Sequence, residues 1–131
     1  MGWIRFYAAA CRNKIVRLAS PMALVLFRGH GRFCPVCETT SRKFLAFGNC
    51  KRQDACCPRG GALERHRLAW LFFARHTNLF SGAAGKMLHV APEPCFSSRL
   101  KKRLGENYLS GDLNSRRAMV KMDVTAIPFP D

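Results

Sequence analysis

Seven cysteines carry the plainest chemistry in this chain: Cys11, Cys34, Cys37, Cys50, Cys56, Cys57 and Cys95. Their number is odd and no export signal precedes them, which disfavours a disulfide framework. Cys34-Pro-Val-Cys37 places two thiolates on one tight turn, which makes half of a tetrahedral zinc site. The other half is expected about 15 to 20 residues further on. Cys57 stands there, with 19 residues between it and Cys37, but the partner position holds Gly60. The pattern therefore supplies Cys34, Cys37 and Cys57 and is one ligand short. Cys56 is taken as the fourth ligand, with Cys50, His66 or a water as alternatives. The competing reading is a small loop unit of reduced, metal-free cysteines.

A second group of candidates lies in the last third of the chain. Met87, Leu88 and Val90 form a short apolar strand ending in the turn Ala91-Pro92-Glu93-Pro94. A helix can start there, because proline is tolerated at a first helical position. Phe96, Leu100 and Leu104 recur every four residues as its apolar stripe, and Gly105 is a suitable stop. A second strand over 107–110 runs into Asp112, and a third over 118–122 runs into Asp123. In open α/β sheets, ligands lie beyond the carboxyl ends of the strands. Asp112 follows Glu93 by 19 positions, close to the separation of about 20 between a phosphate-type turn and a ribose-binding acid. A carboxylate offers only acceptors, which suits two vicinal hydroxyls. The plain alternative is that both acids merely end surface strands.

Taken together, CPVC at 34–37, LERHR at 63–67, LHVAPEP at 88–94, Asp112 and MDVTAIPFPD at 122–131 resemble the class I S-adenosylmethionine-dependent methyltransferases. The likeness is to a bacterial subgroup with a cysteine-bearing N-terminal extension and a first motif written HVAPE. It covers roughly residues 33–131. It implies an α/β fold: a helical and zinc-ribbon-like cysteine segment, then the first half of a Rossmann-like sheet. It also implies that the turn Ala91, Pro92 and Glu93 faces the cofactor's methionine part, that Asp112 takes the ribose hydroxyls, and that Asp123 lies near the adenine. The chain departs from the pattern in three places. His89 replaces the usual acid, prolines replace glycines in the turn, and CPRGG stands where the extension would read CPxCG. The family's sheet has seven strands and three are legible here, so the expectation is a chain incomplete for catalysis on its own, with the methyl acceptor unreadable.

The remaining sequence sets the organisation. Residues 1–32 form a basic helical segment in which Ile4, Tyr7, Ala8, Cys11, Ile15 and Leu18 share one face. Residues 33–62 are the cysteine unit, with a short apolar run at Phe44–Phe47 and a loop-like stretch over 48–61. Residues 63–85 are a connecting helix and a small-residue linker, and 86–131 are the α/β unit. In the helix, Leu68, Leu71 and Phe72 are expected to make the apolar stripe, with Trp70 and Phe73 widening it, and Glu64 with Arg67 a surface pair. Twenty-two basic against eight acidic residues leave a net charge of +14. That excess suits an anionic partner, whether nucleic acid, acidic membrane surface or substrate. No apolar run reaches the ~18 residues of a bilayer span, and a cytoplasmic location is expected. Two further functional readings stand beside the methyltransferase: a basic, zinc-ribbon-like nucleic-acid-binding module, and a non-catalytic remnant of a methyltransferase gene.

Overall fold

A computed structural model of the chain describes residues 25–81 and 85–129. Most of the basic helical segment expected over 1–32, with Cys11, lies outside the described residues, as do 82–84 of the linker. The fold is mixed α/β with three small sheets. It divides into two compact units, Met1–Arg67 and Leu68–Asp131. The division falls inside a helix of the 63–85 connecting segment. No helix among the described residues is long and apolar enough to cross a membrane.

The N-terminal unit holds two antiparallel hairpins. Strand β1 (Arg32–Cys34) pairs with β2 (Thr39–Ser41), Cys34 opposite Thr39. Strand β3 (Leu45–Phe47) pairs with β4 (Arg52–Cys56), with a register shift between Leu45 and Phe47. The loop expected over 48–61 thus contains a strand. Arg52, Gln53 and Asp54 hid it, because only Ala55 and Cys56 at its end are buried. Asp54 ties the hairpins together. Its Oδ2 accepts from Arg32 Nη2 at 2.7 Å and its Oδ1 accepts from the Phe44 N–H at 2.9 Å. Two-stranded hairpins are marginal alone in water, and the buried set here is small: Cys34, Val36, Phe44, Ala55, Cys56, Cys57, Ala62 and Leu63.

Helix α1 (Glu64–His76) spans the division. The stripe read from its sequence is corrected by burial: Leu68 is 70% and Phe72 53% exposed, whereas Trp70 is only 4% exposed. His66, one turn before Trp70, is buried too, and a polar residue at that position concealed the real face. In the C-terminal unit, Trp70 stacks on Phe96 at 5.9 Å and meets Phe80 at 4.9 Å.

That unit is a βαβ arrangement. Strand β5 (Met87–Val90), helix α2 (Pro94–Leu104), a 3-10 turn (Gly105–Asn107), β6 (Tyr108–Asp112) and β7 (Val120–Lys121) follow in order. The three strands are parallel and ordered β5-β6-β7. Phe96, Leu100 and Leu104 are all buried, as their four-residue spacing requires, and Gly105 ends the helix at φ 56°. Gly111 permits a close approach. A Cβ there would lie 2.7 Å from Met122 Cε and 3.3 Å from its Cβ, so a side chain would first displace the end of the Met122 side chain packed on the strand.

Candidate metal centre and strand-end site

The thiols of Cys34, Cys37 and Cys57 converge, with all three sulfurs within 4.8 Å of one another. Cys37 Sγ and Cys57 Sγ are 3.6 Å apart. That is too long for a disulfide of about 2.05 Å. It matches the separation of about 3.8 Å between two sulfurs bound tetrahedrally to zinc at about 2.3 Å. Cys34 and Cys57 are buried and Cys37 is half-buried. The donor set therefore suits a thiophilic ion, and these three residues can hold one.

Hydrogen bonds link the three thiols. Hydrogen bonding from Cys34 and then Cys57 holds the Cys37 thiol far below its usual range. Hydrogen bonding to Cys37 pushes the Cys34 thiol up. Thr39 Oγ1, 3.0 Å from Cys37 Sγ, adds a polar contact that the sequence reading missed.

Two backbone turns present these sulfurs, and they are copies of each other. In the first, Glu38 N–H donates to Cys34 O at 2.8 Å, Glu38 has φ 55°, and the Cys37 N–H faces Cys34 Sγ. In the second, Gly61 N–H donates to Cys57 O at 2.9 Å, Gly61 has φ 67°, and the Gly60 N–H donates to Cys57 Sγ at 3.4 Å. Each runs Cys-Pro-x-x, so Gly60 occupies the place of Cys37 in the second turn.

Of the other metal candidates, none joins the trio. Cys56 is adjacent to Cys57, and successive side chains leave a strand in opposite directions. Its thiol faces the Cys57 carbonyl at 3.8 Å. Cys50 is exposed. His66 accepts the Leu63 N–H on Nδ1 at 3.1 Å, so it closes the helix start in the way a capping-box Glu would.

The LERHR run has a structural role that its sequence did not reveal. Glu64 pairs with Arg52 at 3.2 Å, in place of the expected Arg67. Arg67 instead turns inward. Its Nη1 donates to the carbonyls of Ala55 and Ala62, both at 2.9 Å, and its guanidinium lies 4.5 Å over the Phe44 ring. Ala55 and Ala62 flank Cys57 in the chain. Arg67 therefore pins both sides of the segment that carries the third sulfur. The spacing alone could not disclose this, since the acceptors are backbone carbonyls.

The second group of candidates meets at the carboxyl edge of the parallel sheet. Ala91 N–H donates to Gly111 O at 2.9 Å, which sets the 91–93 turn beside Asp112. Met122 N–H donates to Asp112 O at 3.2 Å, which brings Asp123 to the same edge. Ala91 has φ 50°, a left-handed conformation costing roughly 1–2 kcal/mol for a residue with a Cβ. Asp112 Oδ1 accepts the N–H groups of Asn114 and Ser115, both at 2.7 Å. Asp123 Oδ1 accepts the Thr125 N–H at 2.9 Å and its hydroxyl at 2.7 Å. The Thr125 N–H is the main cause that lowers the Asp123 carboxyl below its usual value. Each acid thus stabilises its own turn through one oxygen. Pro92 offers no donor. Glu93 sits at the start of α2, its Oε2 3.1 Å from Nε2 of the buried His89, whose Nδ1 is 2.9 Å from the Tyr108 hydroxyl. His89 therefore orients Glu93.

Comparison with family models, curated proteins and solved structures gives no match for this chain.

Proposed function

We propose that this chain carries the S-adenosylmethionine-binding first strands of a class I methyltransferase, joined to a zinc-stabilised N-terminal unit. The observation that carries the reading is the assembly of the 91–93 turn, Asp112 and Asp123 at one carboxyl edge of three parallel strands. That edge is where open α/β sheets take their ligands. Asp112 is suited to the ribose: its turn consumes Oδ1, leaving Oδ2 to accept from vicinal hydroxyls. The bound cofactor would supply the reactive sulfonium methyl. The residues of this chain would bind and orient it.

Zinc is the ion that best fits three convergent thiols, two of them buried. Bound there, it would brace the pair of two-stranded hairpins, which need reinforcement to persist. The basic excess of 22 Lys and Arg over 8 Asp and Glu supports an anionic methyl acceptor or partner.

The deciding experiment is a calorimetric titration of the zinc-loaded chain with S-adenosylhomocysteine. Saturable binding with one site per chain is the expected result. Absence of heat and of amide chemical-shift changes at 90–93 and 111–123, at millimolar ligand, would refute the cofactor reading.

A further inference from the structure

The zinc reading leaves the fourth coordination position undetermined, and the geometry of the two turns bears on it. The Cys57 turn reproduces the Cys34 turn in its carbonyl-to-amide closure, its left-handed fifth residue and its amide-to-sulfur contact. A fourth thiol would therefore be delivered from position 60, where the chain has glycine. Gly60 is not among the described residues with positive φ, so its backbone would accept a side chain. No other His, Cys, Asp or Glu among the described residues places a ligand atom in the cluster. The Gly60 side of the cluster is also reachable: Cys34 and Cys57 are buried, while Cys37 and Gly60 are half-buried.

From this, and resting on the zinc reading above, we infer that the ion held by Cys34, Cys37 and Cys57 has an open fourth position on the Gly60 side, which takes a small exogenous donor. The class of ligand is monodentate and compact: water at rest, displaced by a neutral nitrogen or a thiolate. Three protein ligands plus an exchangeable fourth is the arrangement of zinc sites that bind and activate small molecules. The site thus differs from a closed, purely structural knuckle.

The test uses the whole chain loaded with Co2+, whose visible bands report the coordination sphere. Imidazole is titrated into wild type and into Gly60→Cys. Wild type should show a saturable spectral change with the bound cobalt unchanged at one per chain. Gly60→Cys should show stronger thiolate-to-cobalt charge transfer and no response to imidazole. A wild-type spectrum already matching four thiolates, and inert to imidazole, would overturn the inference while leaving the metal reading intact. Cys11→Ser, Cys50→Ser and Cys56→Ser would then identify the internal fourth ligand. Failure of wild type to bind Co2+ or Zn2+ at all would overturn the metal reading and the inference with it. The imidazole titration of wild type decides the matter even where Gly60→Cys does not fold.

Discussion

Replacing Arg67 by lysine separates charge from geometry at the segment that carries Cys57. Arginine there makes two hydrogen bonds from Nη1, to Ala55 O and Ala62 O at 2.9 Å each, and covers Phe44 at 4.5 Å. A hydrogen bond to a charged group contributes about 1.5–3 kcal/mol, and a partly exposed cation–π contact about 0.5–1 kcal/mol. Lysine keeps the charge and can reach one carbonyl, but lacks the planar fork. The net loss is therefore about 2 kcal/mol, the lower part of the range, because Arg67 is only half-buried. Metal binding and folding of the ligand loops are one equilibrium. That loss should appear as zinc affinity weakened about 30-fold, since about 1.4 kcal/mol is tenfold. A competition titration against a chromophoric chelator measures it, with urea unfolding of the zinc-loaded protein as the parallel readout. If Arg67→Lys binds zinc within twofold of wild type and unfolds at the same urea concentration, Arg67 does not pin the site.

Three further outcomes follow from other contacts. Asp112→Asn keeps an oxygen for the Asn114 and Ser115 amides but replaces the second acceptor by a donor. It should weaken S-adenosylhomocysteine about 10- to 100-fold, at roughly 1.5–3 kcal/mol for a charged hydrogen bond, with an unchanged thermal midpoint; equal affinity in the two proteins would remove Asp112 from the site. Leu100 is 0% exposed, so Leu100→Ala should cost about 3 kcal/mol, read as a lower urea midpoint; a loss below about 1 kcal/mol would contradict its burial. The Asp54 carboxyl is lowered from 3.8, first by the Phe44 N–H and then by Arg32. A depressed folded pKa stabilises above the unfolded value and is lost as pH falls through the folded one. The stability gap between wild type and Asp54→Asn should therefore be present at neutral pH and close below pH 3.8. A gap that persists in acid would show that the charge on the Asp54 carboxylate is not its source.

Cysteine spacing and strand positions were legible because they depend on local order. The turn Cys34-Pro-Val-Cys37 and the position of Cys57 single out three candidate ligands from separation alone, and those three sulfurs do meet. The four-residue recurrence of Phe96, Leu100 and Leu104 fixed the buried face of α2, since a helix brings every fourth residue to one side. Apolar runs also gave β5 and the approximate places of β6 and β7, whose ends moved by one or two residues.

What the tertiary structure decided were the pairings across distance. Strand β4 reads as a polar loop until β3 supplies its ladder. The stripe of α1 was misassigned because burial there depends on what packs against the helix: His66 goes inside while Leu68 and Phe72 stay out. Glu64 chose Arg52 over Arg67, and Arg67 chose carbonyls, acceptors that every residue carries and no side-chain pattern reveals. Cys56 was excluded from the metal trio by strand alternation, which places neighbours on opposite sides. Spacing already marked Gly60 as the partner position of Cys57, and the folded turns add that both are closed by the same carbonyl-to-amide bond.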